Sequence, residues 1–95
     1  MNLNPTSPLD KAIKAMRTGN GYAAQGNDAV AIPYYQQAVK LASDFADAWA
    51  NRGLAEARLR LNKAARTSLM RAAELMQENP NALNKISNQV FTLLE

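Results

Sequence analysis

The reactive side chains in this chain of 95 residues are carboxylates, amines, guanidiniums, phenols and hydroxyls; there is no cysteine and no histidine. Thiolate chemistry, disulfides and any imidazole base or metal ligand are therefore excluded. Two pairs of carboxylates lie close in sequence. Asp44 and Asp47 fall at an expected helix start, where capping and the helix dipole account for both. Glu74 and Glu78 are one helical turn apart, with no neighbours of metal-binding type. Gly19, Gly21 and Gly26 lack the preceding strand that a phosphate-cradling loop requires. No constellation here supports catalysis, a metal or a cofactor, so a non-catalytic protein is expected.

The remaining chemistry is charge and hydrogen bonding. A formal net charge of +3 is mild for a dedicated nucleic-acid binder. Its distribution is uneven: Arg52, Arg58, Arg60, Lys63, Arg66 and Arg71 fall in one stretch, opposed there by Glu56 alone. Such a patch attracts acidic ligands or phosphates, although charge runs are ordinarily solvated surface. No aromatic residue interleaves the arginines, so base stacking has no platform and nucleic acid is not expected as a partner.

Helices must position these groups. Residues 1–7 read as a flexible arm. Ser7-Pro8 with Asp10 is a helix start, and the first helix is expected from Pro8 to Gln25, unbroken through Gly19-Asn20-Gly21 despite the local turn signal of Asn-Gly. Gly26-Asn27 ends it, with Asn27 as the next cap. The second helix is expected from Asp28 to Ala42, bent at Pro33, with Val30, Tyr34, Tyr35, Ala38, Val39 and Leu41 on its buried sides. Tyr34 and Tyr35 point about 100° apart, so one belongs to the core and the other to a rim. Ser43-Asp44 is a turn and cap before a third helix, Phe45 to Leu59. Asn62 is placed to cap a fourth, Lys63 to Glu78. After Asn79-Pro80 a fifth, Asn81 to Leu94, carries the stripe Leu83, Ile86, Val90 and Leu93.

The third helix contains the only tryptophan, Trp49, and one turn later Gly53. A glycine in a helix interior costs roughly 1 kcal/mol relative to alanine. Its presence beside a large ring predicts close approach of another helix. One constant offset toward the N-terminus takes Gly53 to Gly19, Ala57 to Ala23, Ala65 to Ala31, Leu69 to Tyr35 and Ala72 to Ala38. A repeat of this kind, with a period of about 34 residues and two helices per unit, resembles the tetratricopeptide repeat family. The second unit carries Trp49, Gly53, Ala65 and Ala72 at that family's motif positions. The first carries Gly19, Tyr22, Gly26, Ala31, Tyr35 and Ala38. Departures are Thr18 and Arg52 for leucine, Glu56 for the tyrosine, Arg60 for the turn glycine, and Ser43 or a late Pro80 for the closing proline.

The resemblance implies an all-α fold: a right-handed superhelix of two helix-turn-helix units over residues 8–79, with residues 80–95 as a capping helix. It also implies a concave groove for a peptide or partner helix. Carried onto this chain, the groove residues are Ile13, Met16, Arg17 and Asn20, then Asp47, Ala50, Asn51, Leu54 and Arg58, with Asn84 and Asn88 extending the row. Asparagine can both donate to and accept from a peptide backbone, and Arg17 or Arg58 could pair with a carboxylate. A full terminal-carboxylate clamp is not expected, because Met16, Asn84 and Asn88 stand where the family has basic residues. The expected function is a protein-interaction module of scaffold, adaptor or co-chaperone type. The alternatives are self-association through the apolar end around Phe91 and Leu94, giving a homo-oligomer, and, ranked last, acidic-ligand or nucleic-acid binding by the basic patch of residues 52–71. With no secretory signal and no membrane span in the sequence, a cytoplasmic location without membrane insertion is expected.

Overall fold

The computed structural model of the chain describes residues 7–77. These form four helices, α1 (Pro8–Ala24), α2 (Asp28–Leu41), α3 (Ala46–Arg58) and α4 (Asn62–Met76), with no strand among the described residues. The expected fifth helix and the stripe upon it, Asn84, Asn88, Phe91 and Leu94 included, lie outside the described residues, as does Glu78.

α1 starts as its sequence requires. Ser7 has the extended backbone of a capping residue, its Oγ accepts from the Asp10 N–H at 3.2 Å, and Pro8 fills the first helical position. The helix continues through Gly19-Asn20-Gly21 to Ala24 and is closed by a turn at Gly26, whose φ is +79°. There Gly26 N–H donates to Ala23 C=O and Asn27 N–H to Tyr22 C=O, both at 2.9 Å. That pair of bonds closes a Schellman turn, which satisfies carbonyls that the helix end would otherwise leave open. α3 ends identically, one repeat further along the chain. Arg60 N–H reaches Ala57 C=O and Leu61 N–H reaches Glu56 C=O, again at 2.9 Å, with Arg60 at φ +64°.

The other helix starts depart from expectation. Asn27 and Leu61 each serve as the last residue of a Schellman turn and the residue before the next helix. Their ψ values of 68° and 69° are far from the extended 154° of Ser7. Asn27 accordingly makes no side-chain cap, and Asn62 is the first residue of α4 rather than its cap. Phe45 precedes α3, also without a side-chain cap, so Ser43 and Asp44 do not cap it. The Ser43 carbonyl instead accepts from Trp49 Nε1 at 2.9 Å. Pro33 lies within α2, on an exposed face.

Small residues set the packing. One core cluster joins Ala12, Ala15, Ala38, Val39 and Ala48, with Met16, Phe45 and Trp49 against it. A second joins Ala31, Tyr35 and Ala55, with Met16, Tyr22 and Ile32 around it. α1 pairs with α2 and α3 with α4; α2 packs on α3, and α1 touches α3 over a narrower area. Of the described helices, α4 contacts α3 alone.

Both interior glycines are sites of close approach. A Cβ on Gly19 would stand 2.7 Å from Tyr35 Cε1 and 3.1 Å from the Ala31 carbonyl oxygen. One on Gly53 would stand 2.7 Å from Leu69 Cγ and Cδ2. Tyr35 and Leu69, which the repeat pairs with one another, thus fill the same place in the two hairpins. Tyr35 is buried and Tyr34 half-buried, stacked on Tyr22 with centroids 5.5 Å apart. Val30, expected on a buried side, is 38% exposed instead. Its helix turns Ala31 and Tyr35 inward, and Val30 lies about 100° from Ala31.

Candidate functional site

The groove residues carried over from the family fall into three groups. Asn20 on α1 and Asn51 on α3 meet: Asn51 Nδ2 donates to Asn20 Oδ1 at 3.2 Å. The Tyr35 hydroxyl, rising from the core of α2, donates to the same oxygen at 2.7 Å. With two donors on Oδ1, the orientation of the Asn20 amide is fixed. Asn20 is itself exposed. Nothing in the local sequence marks this triad. Its members are far apart along the chain, and only the pairing of α1 with both α2 and α3 assembles them.

Ile13 and Arg17 sit one turn apart on α1, where with Asp10, Lys14 and Thr18 they line an open depression of about 610 Å³. Arg17 is exposed and Ile13 partly so. Asp47 is exposed and Leu54 half-buried on α3. Two others are not as expected. Met16 packs against both core clusters, so its side chain contributes to the helix interface. Ala50 is only 1% exposed and offers a ligand no surface.

Arg58 is a further correction. Expected as a cation available to a carboxylate ligand, it is already paired within the chain. Its Nε lies 3.1 Å from each Asp28 carboxylate oxygen and its Nη2 lies 2.9 Å from Oδ1. Asp28 is buried at the start of α2, so this two-pronged bond clasps one hairpin to the next. The bond to Asp28 raises the Arg58 pKa further, more than partial desolvation lowers it. Burial pushes the Tyr35 phenol above its ordinary pKa; the Arg58 guanidinium pulls it down and the Asp28 carboxylate pushes it up again. Asp28 was legible only as a helix-start carboxylate, which hid its partner at the far end of α3.

The rest of the basic run divides in the same way. Arg52 is held by Glu56 at 3.2 Å and lies over the Trp49 ring, 5.6 Å from its centroid. Glu56, 3% exposed, also accepts from Ser68 Oγ at 2.7 Å. Arg71 pairs with Glu74 at 3.4 Å. Arg60, Lys63 and Arg66 are exposed and form no ion pair among the described residues. No group of three or more acidic residues is arranged to hold a metal among the described residues.

The site is thus a set of amides and one guanidinium on an all-helical scaffold of paired helices. No family model, curated protein or solved structure matches this chain. No described helix is long and apolar enough to cross a membrane.

Proposed function

We propose that the chain is a tetratricopeptide-like array of two helix-turn-helix units in a right-handed superhelix. It acts as a non-catalytic, cytoplasmic interaction module that holds an extended peptide or a helix of a partner protein along α1 and α3. The observation that carries this reading is the junction of Asn20 and Asn51, oriented by the buried Tyr35 hydroxyl. It places amide donors and acceptors from two helices side by side, as main-chain recognition needs. Arg17 and Ile13, on the adjoining face of α1, supply a charge and an apolar contact for side chains. The recurrence of both the glycine contacts and the Schellman turns at the repeat spacing supports the array.

The test is selection of binders from a random peptide library displayed on phage, followed by titration of the enriched peptides. Asn51→Ala and Arg17→Ala are each expected to weaken binding at least tenfold while leaving the helical circular dichroism and its melting curve intact. Peptides that bind both variants as tightly as the parent chain would refute the groove.

A further inference from the structure

The α3–α4 turn combines three features. Arg60 holds a left-handed backbone, φ +64°, at the position where the first hairpin has Gly26. A side chain is strained there, so glycine is the residue that folding alone would favour. Leu59 and Leu61 on either side of it are 40% and 49% exposed. Each therefore leaves part of its apolar surface in water at the tip, beside the other. Finally, among the described residues the charge around the turn is of one sign at the surface. Arg60, Lys63 and Arg66 are exposed, while the carboxylates at this end, Asp28 and Glu56, are buried and each already bonded to an arginine.

We propose that this tip docks on anionic phospholipid surfaces, with Leu59 and Leu61 entering the headgroup layer and Arg60, Lys63 and Arg66 lying among the phosphates. The turn joins two antiparallel helices and so forms a convex end of the hairpin. A protein partner would need a cleft to receive two leucines, whereas a fluid interface yields to them. Cations near an anionic leaflet and apolar side chains at its boundary are the two attractions that hold proteins at bilayer surfaces without a span. The proposal also accounts for an arginine at a glycine position: it brings an exposed charge to the turn, adjacent in sequence to both leucines.

The experiment is co-sedimentation of the full chain with vesicles of phosphatidylcholine alone and with 30 mol % phosphatidylserine. The wild-type chain is expected to partition at least tenfold more strongly to the anionic vesicles, and to be released by salt. Each cation contributes roughly fivefold, so Arg60→Glu/Lys63→Glu/Arg66→Glu abolishes measurable binding. Leu59→Ser/Leu61→Ser lowers it about tenfold. Arg60→Gly separates the two roles of that residue: its melting temperature rises while its vesicle binding falls. Asn20→Ala/Asn51→Ala, which removes the proposed peptide site, leaves vesicle binding unchanged. Equal partition to neutral and anionic vesicles would overturn the proposal. So would a leucine double variant that binds like the parent while labelled polyglutamate binds both equally, which would assign the tip to an acidic protein.

Discussion

At the scale of single residues, three glycines of similar sequence context have different reasons to be there. Gly19 and Gly53 face Tyr35 and Leu69 with no room for a Cβ, whereas Gly21 has nothing within 4 Å. Alanine gains about 1 kcal/mol of helix propensity at any of them, and overpacking costs about 1–3 kcal/mol where a neighbour is in the way. Gly21→Ala is therefore expected to raise the chain's stability by about 0.5–1 kcal/mol in denaturant titration, and Gly19→Ala to lower it, because the Ala31 carbonyl as well as the tyrosine ring is in contact. A Cβ at Gly53 would meet Leu69 Cγ and Cδ2 at 2.7 Å and the Leu69 backbone nitrogen at 3.2 Å, so Gly53→Ala is expected to lower stability as Gly19→Ala does. The requirement at Gly53 was legible in the sequence, as was that at Gly19 through the repeat offset. Gly21 could not be told from Gly19 by composition, since a free face and a crowded one differ only in what packs there.

Tyr35 makes a second prediction at this scale. Its pKa is raised by burial, so the folded state keeps the phenol proton to higher pH than the unfolded chain does. The stability tied to the neutral hydroxyl is complete below about pH 10, the ordinary phenol value, and is lost as the pH rises through the folded pKa. Thermal melts from pH 8 to 11 should show the melting temperature of the wild-type chain falling more steeply above pH 10 than that of Tyr35→Phe. Parallel curves for the two would show that the hydroxyl titrates alike in both states.

At the scale of elements, the apolar contact between α2 and α3 is supplemented by one polar clasp. Asp28 is buried and Arg58 has its side chain 43% exposed, so the two halves of the pair are not equivalent. Asp28→Ala frees a guanidinium that can turn to water, costing about 1 kcal/mol. Arg58→Ala leaves a buried carboxylate unpaired, eased by the start of α2, and should cost about 2 kcal/mol. Chemical denaturation of the two variants checks the order. Helix identities and the hairpin pairing were readable from apolar spacing, Ser7-Pro8 and Gly26. The capping of α2 and α4 was not, because a Schellman turn that runs directly into the next helix uses the cap residue's backbone for something else. The candidate site was legible in part: register alone identified Asn20 and Asn51, but the bond from Tyr35 to Asn20 needed α2 in place, and that from Asn51 to Asn20 needed α3.

For the whole molecule, order of contact matters more than number. α2 and α3 are each flanked by helices on more than one side, whereas α4 leans on α3 alone among the described helices. Hydrogen exchange should accordingly be slowest in the amides of α2 and α3 and faster in those of α4, since protection follows the shared interfaces. Uniform protection across all four helices would indicate a single cooperative unit instead. The same order of contact bears on how quickly the chain finds its fold. Among the described helices, α1, α2 and α3 each pack on the next in sequence, and the one longer connection, from α1 to α3, spans a single intervening helix. Little loop entropy must be surrendered before native contacts form, which places this chain among the low-contact-order folders that complete the search in microseconds to milliseconds.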